Sequence, residues 1–309
     1  NRESRTGLPR GKRKTIFMNE TTHWVHDLDP KLLHIWGNIG VSYYGLAYVL
    51  AFVFGVSMHR LMLRKNRSPL KADQEEMALY AMVLGVLIGA RVGYCVLYAL
   101  PELFRRPLFL IEVWHGGMSF HGGLIGVIVA SWYVSRKSQA TFLQFGDMIT
   151  SMAPMGLLMG RIANFINGEL WGRVSDVPWA VIFPRSAPGM SPENILARHP
   201  SQLYEAALEG AVLLFWLQFR YWKTDARLRP GLITGEFLFF YAIFRIFCEY
   251  FREPDASLIF GLSRGTFYSI FILLAGIFFW IRAYRAEAVP FPTPAAPPAV
   301  KAVKKSPKK

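Results

Sequence analysis

The apolar run MITSMAPMGLLM (148–159) leads directly into GRIANFINGELWGR (160–173), a segment rich in arginine, asparagine and glutamate. An apolar run of this kind is typical of a helix that crosses a bilayer, where every ionisable side chain is energetically expensive. The polar groups therefore need partners or a ligand. Together the two segments predict a membrane helix that ends in a functional site.

The rest of the chain supports the same fold class. Of its 309 residues, 52% are hydrophobic and 15% are aromatic. The apolar residues lie in blocks of about 20, the length that crosses a bilayer as a helix. We predict an all-α integral membrane protein with about seven transmembrane helices. The predicted spans are 43–63, 77–100, 121–135, 146–166, 203–222, 232–251 and 266–285.

The distribution of lysine and arginine predicts the orientation. Basic residues collect after the first, third, fifth and seventh blocks, for example Arg64 and Lys65 after the first. Alternating helices put all of these on one side, which we expect to be cytoplasmic, with the N-terminus outside and the C-terminus inside. The net charge of +14 could also indicate nucleic-acid binding. Its segregation favours membrane topology instead, so we predict no nucleic-acid partner.

Small residues predict how two of the spans pack. Gly85, Gly89 and Gly93 recur every four residues in the second block, and Gly122 and Gly126 have the same spacing in the third. Glycine at this interval lets membrane helices approach closely. We interpret these glycines as packing residues, with a further role left open only for Gly122 and Gly123, which stand beside His121.

A polar stripe runs along the sixth block. Tyr241, Arg245 and Glu249 recur every four residues and Arg252 follows three residues later, so all four share one helix face. One explanation is an Arg245–Glu249 ion pair that only neutralises itself. That pair leaves Tyr241 and Arg252 unexplained, and the alternative is a stripe that faces a polar ligand.

The segment GRIANFINGELWGR (160–173) also places polar residues on one helix face. Arg161 and Asn164 share a helix face, the Asn167-Gly168 pair is a turn signal that ends the helix, and Glu169 follows. One arginine in each of these two helices, at the outer membrane level, suits an anion, because guanidinium groups form paired hydrogen bonds to phosphate or carboxylate. Phospholipid headgroups are the abundant anions at that depth.

Two histidines border these segments. His121, in SFHGGLIG (119–126), stands at the predicted outer start of the third span, and histidine readily exchanges a proton near neutral pH. It is a candidate base, and the alternative is a helix-cap or interface residue. His199 precedes Pro200 at the start of the fifth span, where Glu205 and Glu209 follow as supports of the site.

Five motifs carry a resemblance to a known family. They are SYYGL (42–46), GGMSFHGGLIG (116–126), GRIANFINGELWGR (160–173), RHPSQLYE (198–205) and YAIFRIFCEYFREPD (241–255). In order and spacing they resemble prolipoprotein diacylglyceryl transferases, over roughly residues 30–286. The resemblance implies a seven-helix enzyme of the bacterial cytoplasmic membrane. Such an enzyme moves the diacylglyceryl group of phosphatidylglycerol onto the lipobox cysteine of a prolipoprotein, forming a thioether and releasing glycerol 1-phosphate.

The resemblance also implies roles for the candidate residues. Arg161 and Arg245 would hold the phosphate, His121 would be the base for the thiol, and Glu249 would hold Arg245 in position. The other implied substrate-binding residues are Tyr44, Asn164, Asn167, Glu169, Gly172, His199, Tyr241 and Arg252. The implied partners are phosphatidylglycerol, the prolipoprotein signal peptide with its lipobox cysteine, and membrane lipids. Neither a cofactor nor a metal is expected, since the sequence shows no acidic cluster with metal-binding spacing.

The chain is predicted to have three parts. Residues 1–17 are a basic extension before Met18 that we expect to be non-native. Residues 18–286 form the seven-helix transmembrane catalytic domain, with a small extracytoplasmic head formed by loops 101–120 and 168–202 and a short strand in VPWAVIF (177–183). Residues 287–309 are rich in proline, alanine and lysine and are expected to be a disordered cytoplasmic tail.

A transporter is the alternative from another functional class, because buried arginines also line anion pathways. It predicts polar groups through the whole membrane depth and often an inverted repeat. In this sequence the polar groups gather towards the outer side and no internal repeat is visible. The transferase is therefore favoured, and Cys95 and Cys248 are expected to be buried packing residues.

Overall fold

Long helices joined by short connections make up most of the fold, in a computed structural model that describes residues 23–36, 39–254 and 256–291. The predicted extension 1–17 and most of the predicted tail lie outside these residues. The helices are α1 (Tyr43–Arg64), α2 (Glu75–Leu97), α3 (Leu100–Arg105), α4 (Phe120–Lys137), α5 (Phe142–Ile166), α6 (Ser201–Glu205), α7 (Leu213–Lys223), α8 (Leu232–Phe251) and α9 (Arg264–Arg285). A π-helix, Ala206–Val212, joins α6 to α7, so these three segments form one rod.

Each of the seven apolar blocks coincides, within a few residues at either end, with a long helical rod, which confirms the predicted helices. Three described segments are long and apolar enough to cross a membrane, namely Tyr43–Arg64, Ala72–Leu97 and Arg264–Arg285. Large apolar side chains are exposed on their surfaces, such as Tyr48 and Phe278, which are 61% and 62% exposed. Apolar surface of this extent is typical of contact with lipid.

Short strands accompany the helices, so the prediction of an all-α chain is incomplete. β1 (Trp24–Val25) pairs in parallel with β4 (Val181–Ile182), while β2 (Lys31–Trp36) and β3 (Ile39–Ser42) form an antiparallel pair. β4 lies within VPWAVIF, which confirms the strand predicted there. The segment predicted as loop 101–120 begins with helix α3, because a proline in its first turn presets the helical backbone.

The contact between α2 and α4 is too close for side chains. Gly85 and Gly89 of α2 face Gly122 and Gly126 of α4, and a Cβ atom on Gly126 would lie 1.8 Å from the carbonyl oxygen of Gly85. The neighbouring Gly123 has ordinary space, since the nearest atom to its Cβ would be 3.6 Å away. The packing role predicted for these glycines is confirmed.

Replacing Gly126 with alanine should therefore force α2 and α4 apart. We expect the free energy of unfolding to fall by about 3 kcal/mol, because the new methyl group meets backbone rather than a movable side chain. Thermal unfolding of the purified protein in detergent measures the effect. The matched control is Gly123→Ala on the same helix, which should unfold at or above the wild-type temperature. Equal melting temperatures for the two variants would contradict the close contact.

A buried aspartate anchors the start of α8. Asp147 of α5 is 1% exposed, and its carboxylate accepts hydrogen bonds from the backbone N–H groups of Gly231 (2.7 Å) and Thr234 (2.8 Å) and from the Thr234 hydroxyl (2.7 Å). N–H groups at a helix start have no partner within the helix, so the carboxylate caps α8. This contact fixes α8 against α5.

The apolar core includes the region where α5, α7 and α8 meet. Phe145, Leu217 and Ile233 are fully buried there. A buried ion pair also joins α7 to α8, because Nε of Arg220 donates hydrogen bonds of 2.8 and 2.9 Å to the two carboxylate oxygens of Glu236. These contacts hold the three helices together and thereby position the polar side chains at the opposite end of the bundle.

Candidate active site

Three arginines and three glutamates meet at the end of the bundle where α5 and α8 finish and α6 begins. Their side chains are between 0 and 18% exposed. We name this group the arginine–glutamate cluster, and its members are Arg161, Glu205, Glu209, Arg245, Glu249 and Arg252. From the sequence, Glu205 and Glu209 are only supports of the site, whereas in the structure they lie between the arginines.

Glu205 is the centre of the cluster. Its Oε2 atom lies 2.6 Å from Nε of Arg161, and its Oε1 atom lies 3.1 Å from Nη1 of Arg245. The same Oε1 atom accepts a hydrogen bond of 3.0 Å from Nη1 of Arg252. Three guanidinium groups, one from α5 and two from the C-terminal half of α8 and its cap, thus converge on one carboxylate, which is the size of a single small anion.

Glu209 lies on the same rod as Glu205, inside the π-helix. Its Oε2 atom is 3.7 Å from Nη2 of Arg161, and its Oε1 atom is 3.6 Å from Nη1 of Arg245. The side chain is fully buried. Glu209 therefore spans the two arginines without approaching either one closely.

The polar stripe predicted on α8 contributes Arg245 and Glu249 to this cluster. Nη2 of Arg245 donates a hydrogen bond of 2.5 Å to Oε1 of Glu249. The self-neutralising pair considered from the sequence is thus present, but Arg245 also pairs with Glu205, so the pair is not isolated. Tyr241 completes the stripe and stacks on Phe237, with ring centroids 5.8 Å apart.

Positive and negative charges balance within the cluster. Transfer of an ion out of water costs several kcal/mol unless an opposite charge and hydrogen bonds compensate it. Each arginine therefore depends on the glutamates around it, and removal of one member leaves a buried charge without its partner.

A second polar group lies beside Arg161 at the end of α5. Asn164 is 3% exposed and donates from Nδ2 to the Tyr44 hydroxyl (2.6 Å) and to Oε1 of Glu169 (3.0 Å). Asn167 donates to the same Glu169 oxygen over 3.3 Å. Tyr44 belongs to the first turn of α1, so these four predicted site residues come together and tie α1 to α5.

The turn that carries Glu169 is held by the start of α6. Gly168 and Leu170 have φ angles of 61° and 57°, a conformation that glycine adopts freely and leucine does not. Gln202 donates from Nε2 to the Glu169 carbonyl (2.6 Å), and Ser201 donates from Oγ to the Leu170 carbonyl (3.1 Å). These bonds offset the strain and fix Glu169.

Gly172 packs closely against backbone on both sides, and the substrate-binding role implied for it stays a prediction. Its N–H donates to the His199 carbonyl (2.9 Å), and its backbone bridges to Arg252. A Cβ atom there would lie 2.5 Å from the Phe251 carbonyl oxygen and 2.6 Å from that of His199. These close contacts fix the positions of the neighbouring residues around Gly172.

His199 supports the start of α6. Its Nδ1 atom lies 3.1 Å from the Tyr204 hydroxyl, and its ring packs edge-on against Phe251 at 5.2 Å. Burial lowers the pKa of the His199 imidazole below its ordinary value, so the neutral ring is favoured. These described side-chain contacts lie outside the arginine–glutamate cluster.

His121 is exposed in the first turn of α4, and its ring packs edge-on against Phe120 at 5.8 Å. Among the described residues it forms no hydrogen bond or ion pair with the cluster. Because α4 begins at the end of the bundle where α5 and α8 finish, His121 lies at the same end as the cluster but is not part of it.

Arg91, a functional residue that residue spacing alone does not reveal, organises the segment before α4. It is 3% exposed in α2, and its guanidinium donates to the carbonyl oxygens of Leu110 (3.0 Å) and Gly116 (2.6 Å). The further carbonyl acceptors are those of Phe109, Glu112 and Gly117. A charged residue inside an apolar block is the signal that could have identified it.

Replacing Arg91 with lysine should loosen this segment, because an ammonium group cannot satisfy five carbonyl groups at once. We expect chymotrypsin to cleave within 106–118 at least about tenfold faster, since each bond to a charged donor contributes more than 1 kcal/mol. Cleavage is followed by mass spectrometry. Arg60→Lys, in an exposed ion pair with Glu75, is the control and should leave the rate unchanged. An unchanged rate for Arg91→Lys would contradict the anchoring role.

Both cysteines are free and buried, Cys95 in α2 and Cys248 in α8, as predicted for packing residues. Within the described ranges, no group of three or more histidine, cysteine, aspartate or glutamate side chains is arranged to hold a metal ion. The expectation that neither a metal nor a cofactor is needed stays a prediction.

A helical membrane protein whose buried arginines converge on one glutamate carboxylate is the class that this fold and site define. Residues 30–282 match the family described as prolipoprotein diacylglyceryl transferase. The chain belongs to this family of transferase enzymes.

Relatives named phosphatidylglycerol–prolipoprotein diacylglyceryl transferase support the assignment. The protein from Photorhabdus laumondii is 44% identical over 279 residues, which cover 84% of this chain and 94% of that protein. One from Vibrio cholerae is 44% identical over 84% of this chain and 93% of its own length. One from Rhizobium leguminosarum is 43% identical over 85% of this chain and 94% of its own length.

Proposed function

We propose that this protein transfers the diacylglyceryl group of phosphatidylglycerol to the lipobox cysteine of a prolipoprotein, forming a thioether and releasing glycerol 1-phosphate. The observation that carries the proposal is the position of Glu205 between Arg161 and Arg245, at 2.6 and 3.1 Å. Two guanidinium groups that reach one carboxylate can also reach one phosphate. The names of the relatives supply the substrates.

In this reaction the thiol attacks the glycerol carbon that bears the phosphodiester, and the bond that breaks is carbon–oxygen. Negative charge then builds on the leaving phosphate, so preorganised cations stabilise the transition state. We propose that Arg161 and Arg245 hold this phosphate. Glu249 and Arg252 keep Arg245 and Glu205 in position through the contacts described above.

The lipid headgroup is proposed to lie beside the polar side chains at the end of α5. Tyr44, Asn164, Asn167 and Glu169 present hydroxyl, amide and carboxylate groups that suit a glycerol headgroup. Tyr241 is proposed to contact the substrate from α8.

The histidines and Gly172 frame this site. His199 is proposed to support its edge together with Gly172. His121 is proposed to act on the thiol peptide, either as its base or by positioning it.

A mainly apolar cavity within the helical bundle supports a lipid substrate. It has a volume of about 410 Å³ and lies between α1, α2 and α5. Its lining includes Ala51, Met82, Met152 and Gly156, the last of these little more than one helical turn before Arg161. A space of this chemistry can accept acyl chains while the headgroup lies at the arginines.

The proposed setting is the bacterial cytoplasmic membrane, with residues 18–286 as a seven-span catalytic domain. The N-terminus is proposed to lie outside and the C-terminus inside, with segments 101–120 and 168–202 as an extracytoplasmic head. The basic residues after α1, α4, α7 and α9 support this orientation. The partners are phosphatidylglycerol, the lipobox signal peptide and membrane lipids, with no cofactor and no nucleic acid.

The test measures glycerol phosphate release by the purified protein with phosphatidylglycerol and a lipobox peptide. Release should require the peptide thiol, and the peptide should gain the mass of one diacylglyceryl group. A peptide with serine in place of cysteine is the control and should release nothing. Release with the serine peptide would indicate a lipase, and no release from folded protein would exclude the proposed transfer.

A further inference from the structure

Glu209 is a buried carboxylate whose hydrogen-bonding capacity is unused. It is 0% exposed, and neither of its oxygens accepts a hydrogen bond from the residues that the structure describes. Its two ion-pair distances, 3.6 Å to Arg245 and 3.7 Å to Arg161, exceed those of ordinary hydrogen bonds. A buried charge without hydrogen bonds is energetically unfavourable, so its presence calls for a functional explanation.

The backbone holds Glu209 in this position. It lies in the π-helix Ala206–Val212, and π-helical turns are frequent at functional sites. The next residue, Gly210, packs directly on α5, because a Cβ atom there would lie 2.7 Å from the Cα atom of Leu158. Leu158 precedes Arg161 by less than one helical turn. The carboxylate is therefore fixed next to the arginines by two independent backbone features.

Phosphate binding would change the surroundings of Glu209 more than those of Glu205. Glu205 has three close cationic partners, including Arg252, which lies 3.0 Å away and is not one of the proposed phosphate ligands. Glu209 has only its two long contacts with Arg161 and Arg245 among the ion pairs of the described residues. When both arginines turn to a phosphate, Glu209 loses the contacts that compensate its charge and becomes a proton acceptor beside the reacting groups.

We propose that Glu209, rather than His121, is the base of the transfer reaction, an inference that rests on the proposed function and leaves His121 to position the thiol peptide. The thiol S–H bond breaks and its proton passes to a Glu209 carboxylate oxygen. The sulfur electron pair forms the C–S bond while the C–O bond to phosphate breaks, and its electrons leave with the phosphate. Glu209 then gives the proton to the glycerol phosphate held by Arg161 and Arg245. Atoms and charge balance without any further reactant.

The charged and titratable groups around Glu209 come from each element packed on it. They are Arg161 of α5, Glu205 of α6, Tyr241, Arg245, Cys248 and Glu249 of α8, and Arg252 after α8. Of these, only the glutamates are carboxylates, and Glu205 and Glu249 each accept a hydrogen bond from an arginine. Glu209 is the carboxylate left to take a proton.

The experiment compares Glu209→Gln with wild type in single-turnover transfer, using a lipobox peptide with cysteine and one with selenocysteine at the same position. A selenol is more acidic than a thiol and ionises without a base. We expect Glu209→Gln to lower the rate with the cysteine peptide about 100-fold. With the selenocysteine peptide its rate should come within about threefold of wild type, since only the proton-transfer step is missing.

The pH profile provides a second readout. With the cysteine peptide, the Glu209→Gln rate should rise with pH towards the ionisation of a free thiol, at a pKa of about 8.5. The control is Glu236→Gln, which neutralises a buried carboxylate paired with Arg220 at the opposite end of α8. Its rates per folded molecule should match wild type with both peptides. A structural role for Glu209 would not produce selenocysteine rescue.

Three results would overturn the proposal. Glu209→Gln could keep the full rate with the cysteine peptide, or it could lose the rate with both peptides equally, which would indicate arginine positioning instead. Selenocysteine rescue of His121→Gln, without rescue of Glu209→Gln, would assign the proton transfer to His121. Failure of the proposed function looks different, because wild type would then transfer to neither peptide.

Discussion

Replacing Arg245 with glutamine is expected to lower the rate of diacylglyceryl transfer by about 1000-fold. Loss of one neutral donor to a developing negative charge typically lowers a rate 100- to 1000-fold, and loss of a cation at a transferring phosphate lowers it further. Arg245 also touches Glu205, Glu209 and Glu249, at 3.1, 3.6 and 2.5 Å. The substitution leaves a net negative charge in a buried cluster, so we also expect the free energy of unfolding to fall by about 3–5 kcal/mol.

The two effects are separated by a double variant. Arg245→Gln combined with Glu249→Gln restores charge balance and should recover much of the lost melting temperature, while the transfer rate stays about 1000-fold below wild type. Glycerol phosphate release and thermal unfolding are measured on the same preparations. Recovery of activity together with stability would mean that Arg245 acts only in folding, and the proposed phosphate contact would be wrong.

A matched control is available in the same pair of helices. Arg220 pairs with the buried carboxylate of Glu236, with a shortest distance of 2.6 Å, and is 18% exposed, close to the 13% of Arg245. Arg220→Gln should therefore lower stability to a similar degree. Its transfer rate per folded molecule should stay within about twofold of wild type, because surroundings distant from the phosphate do not stabilise the transition state.

The long helices could be predicted because length and apolarity determine them directly. Block 146–166 corresponds to α5, Phe142–Ile166, and block 266–285 to α9, Arg264–Arg285. The deviations have local causes. Helix α5 begins four residues early, because Thr141 and Gln144 form a capping box there, with the Thr141 hydroxyl accepting from the Gln144 N–H over 3.2 Å.

The site could be predicted only within single helices. Helical periodicity puts Tyr241, Arg245 and Glu249 on one face, and the structure keeps them there. Periodicity contains no information on which helix faces that stripe. The approach of Glu205 and Glu209 depends on the packing of the rod formed by α6, the π-helix and α7, and the π-helix has no sequence signature that we recognise.

Ionisable residues inside apolar blocks mark further buried polar contacts. Asp147 and Arg91 interrupt the fourth and second blocks, and each is buried against backbone groups. Their partners are the N–H groups at the start of α8 and the carbonyl groups of 109–117. Buried main-chain groups need such partners, but which segment supplies them depends on tertiary contacts that residue spacing does not encode.

Gly172→Ala is the second substitution expected to have a large effect. Its methyl group would lie 2.5 and 2.6 Å from the carbonyl oxygens of Phe251 and His199, where only backbone could move. Overpacking of this kind destabilises by about 3 kcal/mol. The displaced turn carries Glu169, so we also expect transfer to fall about 100-fold in the folded fraction, as a misplacement of about 1 Å at a site typically does.

The control for this substitution is Gly160→Ala in α5, where nothing lies within 4 Å of the added carbon. It should raise the stability by about 0.5–1 kcal/mol, because alanine favours the helix, and transfer should be unchanged. Melting temperature and glycerol phosphate release are measured for both variants. If Gly172→Ala kept the wild-type melting temperature and lost only transfer, the residue would contact substrate directly. The implied binding role would then be right and the packing role wrong.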